Sequence, residues 1–358
     1  MNKLKKYIWI YLITSLVITQ WSCSKSSSPD PIAPVQPPAA ITTFTNPIMN
    51  GADPSVFKKD SIYYYLQTVG NSIRLWKTTA MSKLASSVPQ TVFTPQQGAA
   101  NSSNIWAPEI YFLDGKWYIY YTAGNGTDTG QRTWVLENSS TDPTSGTWID
   151  KGRIYNPNAD YWAIDGTILE VNNNRYFIWC GRPDITNKDL TQQIYISKMT
   201  NPWTLEGPVT RLTAPQYNWE KQGFGVNEAP SVLKNRVNDV FLVYSASYCG
   251  TDDYSLGMLK AAAGADPMLT ASWTKFAEPV FTKKPQNLAY GPGHNSFFKS
   301  PDNTENWIIY HANSAGNQGC AEKRNVRMQK FIFSSDGTPI LGEPVAIGLQ
   351  INKPSGDK

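Results

Sequence analysis

Four carboxylates and one histidine of this 358-residue chain stand where they could do chemistry together: Asp53, Glu109, Asp165, Glu228 and His294. Carboxyl groups gathered in one site can hold different protonation states, because burial beside a like charge raises one pKa and leaves another low. One group then protonates a leaving oxygen while the other activates water, which is what hydrolysis of a glycosidic bond requires. Each residue also has a plainer reading. Asp53 precedes Pro54 and Asp165 precedes Gly166, and both pairs form turns; Glu228, before Ala229 and Pro230, could be a surface acid. Glu109 lies inside a strand-like run and is read as a structural partner of a basic group. Of the two histidines, His294 is the site candidate and His311, in IIYHA, is read as core or as a residue behind the site.

These positions are up to 241 residues apart, so the fold must bring them together. Five segments share one grammar: DPSVFKKDSIYYYLQT from Asp53, APEIYFLDGKWYIYYTA from Ala107, DGTILEVNNNRYFIWCG from Asp165, APSVLKNRVNDVFLVYSAS from Ala229 and GHNSFFKSPDNTENWIIYHA from Gly293. Each runs a few strand-forming residues, a polar turn and an aromatic-rich second strand, which is a β-hairpin. Their starts are spaced by 54, 58, 64 and 64 residues, with further short β-like runs between them such as Gln193 to Ser197. Recurrence near that period, with room for about four strands apiece, is the mark of propeller blades. No long segment has a 3.6-residue apolar period, so helices should be scarce. The chain is therefore expected to be all-β, a five-bladed β-propeller over residues 46–352. In such a ring the first strand of every blade lines the central channel, which would carry all five candidates to one end of one axis.

The segments GADPSV (51–56), NIWAPEI (104–110), AIDGT (163–167), VNEAPS (226–231) and GPGHNS (291–296) resemble, one per blade and in order, the signature segments of glycoside hydrolase family 43. The resemblance covers essentially the whole chain beyond its leader. It implies a five-bladed propeller and inversion at the anomeric carbon. It implies Asp53 as general base, Glu228 as general acid, and Asp165 as the carboxylate that orients the acid and keeps its pKa high. No cofactor is needed for that chemistry; in relatives the histidine matching His294 reaches a water or a bound cation, often calcium, on the axis. Arg324 or Arg327, with Arg324 preferred, would hydrogen-bond the sugar. Trp106 and Trp162, each three residues before a motif carboxylate, would stack on the sugar or pack between blades. Residues 215–227 and 249–256 could wall a pocket. Within the family an exo-acting α-L-arabinofuranosidase is expected, because the chain leaves no room for the β-sandwich that many β-xylosidases carry after the propeller. β-Xylosidase and endo-arabinanase are the alternatives. A non-catalytic glycan-binding propeller is the alternative of another class, and the three carboxylates speak against it.

The rest of the chain bounds where this happens. Lys3, Lys5 and Lys6 precede an uncharged stretch from Tyr7 to Thr19, too short to span a bilayer, and Ser22-Cys23 resembles a bacterial lipoprotein processing site. Residues 1–23 are thus read as a lipoprotein-type signal ending at Cys23, and 24–45, rich in proline and serine, as a tether. Export with a lipid anchor in the cell envelope is expected, free secretion being the alternative, with a carbohydrate as partner and a monomeric protein. The net charge of +4 falls to +1 without the three leader lysines, which offers nothing to nucleic acid or to an anionic membrane. Of Cys180, Cys249 and Cys320, the last two lie in glycine-containing loop sequence and are the preferred disulfide pair; three unpaired thiols are the alternative.

Overall fold

The computed structural model describes residues 42–358 apart from 184, 185, 187 and 321. The signal, lipid-site and most of the tether readings (residues 1–41) lie outside the described residues. The remainder forms five antiparallel sheets in chain order. Their first strands are Ala52–Lys59, Ser103–Leu113, Ala163–Val171, Asn227–Lys234 and Tyr290–Lys299. Their second strands are Ile62–Thr68, Lys116–Gly124, Asn174–Gly181, Val240–Ala246 and Asn306–Asn313. The hairpins read from sequence are these pairs. Helices among the described residues are 3₁₀ turns of three to six residues.

The fifth sheet is completed from the other end of the chain. Its outermost strand is Met49–Asn50, paired with Asn325–Phe333. A further pair, Thr43–Phe44 with Ile351–Asn352, takes in residues that the sequence reading gave to the tether. Phe44 has a reason to fold there, since its ring lies 6.1 Å from that of Trp307.

Ring closure is visible in the packing. Among the described residues five large apolar cores, beside a small cluster around Trp162, are each shared by two neighbouring sheets: first with second, second with third, third with fourth, fourth with fifth, and fifth with first. The second strands make this possible because alternate residues point into opposite cores. Tyr63 and Tyr65 enter the core shared with the fifth sheet, whereas Tyr64 and Leu66 enter the one shared with the second. Trp117, Ile119 and Tyr121 face back and Tyr118 and Tyr120 face forward in the same way. A strand buried on both faces reads as a continuous apolar run, which is why these strands showed no polar alternation. Each such side chain contributes on the order of 1.5–3 kcal/mol by leaving water.

Candidate active site

The first strand of every blade breaks register at one shared place, and those of the second and fifth blades break it once more ahead of that place. The pairs Ala52/Thr68, Trp106/Thr122, Ile164/Cys180, Glu228/Ser245 and Gly293/His311 are each followed by an extra residue on the first strand before pairing resumes. This is a β-bulge repeated five times. The bulged residues are Asp53, Ala107, Asp165, Ala229 and His294, and all five have positive φ, between 44° and 56°. A left-handed conformation at a residue other than glycine costs of order 1–3 kcal/mol, and such strain clusters at functional sites.

Neighbouring blades hold these bulges in place. The backbone N–H of Ala107 donates to Thr68 Oγ1 (2.8 Å), that of Asp165 to Thr122 Oγ1 (3.0 Å), that of His294 to Ser245 Oγ (2.8 Å) and that of Asp53 to His311 Nδ1 (3.1 Å). Each acceptor is the residue paired opposite the bulge in the preceding blade. The third blade has Cys180 at this place, and a thiol is a weak acceptor. There the N–H of Ala229 donates to the Asp165 carboxylate instead, at 3.1 Å. That bond sets Asp165 against the backbone adjoining Glu228.

Asp53 is buried, and burial alone would raise its pKa. Arg324 overrides this first, then His294 and His311, and the carboxyl is held well below the usual range. Arg324 donates to Asp53 Oδ1 at 3.0 Å, His294 Nδ1 lies 3.2 Å from the same oxygen, and Thr68 donates to Oδ2 at 2.6 Å. Glu228 is raised to about 7, by burial foremost and by the charge of Asp53, against the opposing hydroxyl of Tyr254 and charge of Arg324. Asp165 is pushed well above its ordinary value by burial and by the charges of Glu228 and Asp53. Both groups therefore hold a proton more tightly than ordinary carboxyls do. The arrangement is one carboxylate held ionised beside two whose pKa values are raised.

The other candidates divide. Arg324 is at Asp53, and its Nε is buried without a hydrogen-bond partner among the described residues. Arg327 is fully buried and bonds Asn325, Leu288, Asn313 and Ser314, a structural role. Trp162 is 3% exposed, with the Arg182 guanidinium 4.2 Å from its ring centre, whereas Trp106 beside it is only half-buried. His311 lies behind Asp53. Among the described residues Glu109 has no basic partner, contrary to expectation. It stands two residues past the bulge, where its carboxylate meets the hydroxyl of Tyr111, which also bonds Thr167 (2.8 Å), and burial raises it to about 7. Glu109 lines a cavity of about 570 Å³ in the channel, with Ser55, Thr167, Ser231 and Ser296; Asp53, Asp165, Glu228 and His294 do not border it. A smaller cavity of about 410 Å³ adjoins Arg324, walled by Gly51, Thr68, Gly70, Cys320 and Glu322. Among the described residues no group of three or more His, Cys, Asp or Glu side chains is placed to hold a metal ion, and His294 turns Nδ1 to Asp53. Cys249 and Cys320 form a disulfide and Cys180 is a buried thiol.

The family model of glycosyl hydrolases family 43 matches residues 44–339. The chain belongs to that family. Glycoside hydrolases of that family need no cofactor for catalysis. The chain is 39% identical over 323 residues to an extracellular exo-α-(1→5)-L-arabinofuranosidase of Streptomyces avermitilis, covering 87% of this chain and 66% of that protein. It is 34% identical over 317 residues to α-L-arabinofuranosidase 43 of Humicola insolens, covering 86% and 65%. The chain thus spans slightly less than two thirds of the length of these relatives. The crystal structure of an α-L-arabinofuranosidase from Lactobacillus brevis superposes with a TM-score of 0.80 at 33% identity, covering 86% of this chain and 98% of that one.

Proposed function

We propose that this family 43 hydrolase is an exo-acting α-L-arabinofuranosidase that removes arabinofuranosyl units from plant polysaccharide side chains or oligosaccharides, with inversion. The observation that carries the mechanism is the contrast between Asp53, held ionised, and the Asp165–Glu228 pair, held partly protonated. Asp53 takes a proton from a water, whose oxygen attacks the anomeric carbon from the face opposite the leaving group. Glu228 gives its proton to the departing oxygen as the glycosidic C–O bond breaks. Burial and the charge of Asp53 keep Glu228 protonated, and Asp165, itself oriented by the N–H of Ala229, stands against the backbone next to it. Arg324 braces Asp53 and borders the 410 Å³ cavity, from which its guanidinium can meet a sugar hydroxyl, and the half-buried Trp106 offers a face to the ring. The names of the relatives support arabinofuranose as the sugar.

Stereochemistry tests the roles. Proton NMR early in hydrolysis of an α-L-arabinofuranoside is expected to show the β-anomer first, before mutarotation. A retained anomer would mean that Asp53 is a nucleophile, and would overturn its assignment as base. Hydrolysis of arabinan, arabinoxylan and xylan in parallel fixes the substrate: monomeric arabinose is the expected product, and xylose or larger oligosaccharides would displace the reading.

The pH profile follows from the same groups. Glu228 is raised to about 7, so the protonated acid is present below that value and kcat/KM should fall as pH rises through about 7. Asp53 is depressed well below 3.8, so the base stays ionised until the pH drops beneath that value. His311, lowered to about 4 by burial first and then by the Arg324 charge, remains neutral as acceptor for the Asp53 N–H over the same range. A plateau between about pH 4 and 7 is expected, and a rise in activity above pH 7 would contradict Glu228 as acid.

The reading includes export with a lipid anchor at Cys23. Export is supported by the extracellular Streptomyces avermitilis relative and by the Cys249–Cys320 disulfide, which requires an oxidising compartment, and the anchor rests on the Ser22-Cys23 pattern alone.

A further inference from the structure

We propose that Tyr254 is a positioning residue for Glu228: its hydroxyl holds one carboxyl oxygen as an acceptor and thereby assigns the transferable proton to the other. This rests on the hydrolase reading above. Tyr254 lies immediately before the third strand of the fourth blade, Ser255–Ala261, and is 1% exposed. Its hydroxyl donates to Glu228 Oε1 at 2.8 Å. Its ring lies parallel to the His311 imidazole, at 5° with centroids 5.8 Å apart, and His311 accepts the N–H of Asp53. One aromatic ring therefore touches the proposed acid and the residue that seats the proposed base.

The ring has a made place. A Cβ on Gly293 would lie 2.2 Å from Tyr254 Cε1, so only glycine at 293 lets the ring reach Glu228. The disulfide joins the segment leading to Tyr254 with the one leading to Arg324, so the partners of acid and base ride on covalently linked loops.

The hydrogen bond has a direction. Burial, foremost, and the nearby Glu228 charge push the Tyr254 hydroxyl far above its ordinary pKa, so it is a donor throughout the working range. With Oε1 occupied as acceptor, a protonated Glu228 carries its hydrogen on Oε2. When Oε2 gives that proton to the leaving oxygen, the charge left on Glu228 strengthens the Tyr254 bond, because hydrogen bonds to ionised acceptors are about twice as strong as neutral ones. An interaction that strengthens along the reaction lowers its barrier. The other groups facing Glu228 are Asp53, Asp165, the Arg324 guanidinium and the Cys180 thiol, and none of them supplies a neutral donor to Oε1.

The test replaces Tyr254 by Phe, which keeps the ring and its stacking. Glu228 is titrated by carbon-13 NMR in the mature chain labelled at glutamate Cδ, its signal identified by its loss in Glu228→Gln. Without the donor, the Glu228 pKa should rise by about 1–2 units. The alkaline limb of kcat/KM should move up by the same amount. Turnover of arabinosides with poor leaving groups should fall ~10–100-fold, while dinitrophenyl arabinofuranoside is spared. Gly293→Ala, which displaces the ring but keeps the hydroxyl, should shift the titration in the same direction. An unshifted or lowered Glu228 pKa in both variants, or equal losses on both substrate types, would overturn the proposal. The titration needs no substrate, so a wild-type protein that hydrolyses no glycoside would sink the hydrolase reading while the NMR shift still decides the role of Tyr254.

Discussion

Replacing Asp53 by Asn is expected to lower kcat by ~10²–10⁴-fold or more on every glycoside substrate, irrespective of leaving group. Water activation is needed whether or not the leaving oxygen departs easily, so a dinitrophenyl arabinofuranoside should suffer as much as a natural disaccharide. Asn keeps the shape and can still accept a hydrogen bond from Thr68 Oγ1, as Asp53 does at 2.6 Å, and the backbone bond to His311 is untouched. The fold should therefore survive, which circular dichroism and thermal melting would check. Azide provides a sharper discriminant. It is a nucleophile that needs no base, and it fits where a water fits. Added azide should restore turnover of the dinitrophenyl substrate and yield the glycosyl azide of inverted configuration. Failure of azide to rescue, alongside an intact fold, would point to Asp53 as a binding residue and not a base. The ion pair with Arg324 also predicts that Arg324→Ala raises the Asp53 pKa, which would move the acidic limb of activity upward.

The five blades were legible because each hairpin repeats one pattern and because the doubly buried second strands spell themselves out as runs such as IYYYLQT and KWYIYYTAG. The layering of the site was not. Asp53, Asp165 and His294 occupy the bulge itself, Glu228 stands one residue before it and Glu109 two after. A bulge is a backbone event of one extra residue, and no side-chain pattern marks whether a neighbour faces the carboxylates or the channel beyond them. For Glu109 there was a usable hint, since alternation in a strand puts Tyr111 on the same face, and Tyr111 is its partner. Closure by Met49–Asn50 escaped because two residues carry no period. Tyr254 escaped as well: its segment could be marked as a wall, but its bond to Glu228 spans 26 residues and depends on how the third strand returns beside the first two. The disulfide was easier, because Cys180 sits inside an apolar strand while the other two cysteines sit in glycine-containing loops.

Replacing Glu228 by Gln should divide substrates by their leaving groups. The amide cannot donate a proton as the carboxylic acid does, so a natural arabinoside, whose sugar alkoxide leaves poorly, should be hydrolysed ~10²–10⁴-fold more slowly. Dinitrophenolate departs without protonation, so the dinitrophenyl arabinofuranoside should keep most of its kcat. The variant also removes one of the two charges that repel Asp165, whose pKa is raised by burial and by Glu228 and Asp53. Asp165 should then titrate closer to its ordinary value, and the alkaline limb near pH 7 should vanish from the profile measured with the activated substrate. The two outcomes are linked through one proton: the group whose loss makes the rate sensitive to leaving group must also be the group whose titration ends activity. A variant that showed no leaving-group gap and kept the alkaline limb would place that proton on Asp165 and leave Glu228 as its orienter. Equal losses on both substrates would mean that Glu228 shapes the site without donating. Because Glu228 alone of the pair accepts the Tyr254 hydroxyl, and because Asp165 is committed to the N–H of Ala229, the leaving-group gap and the loss of the limb are expected together at Glu228.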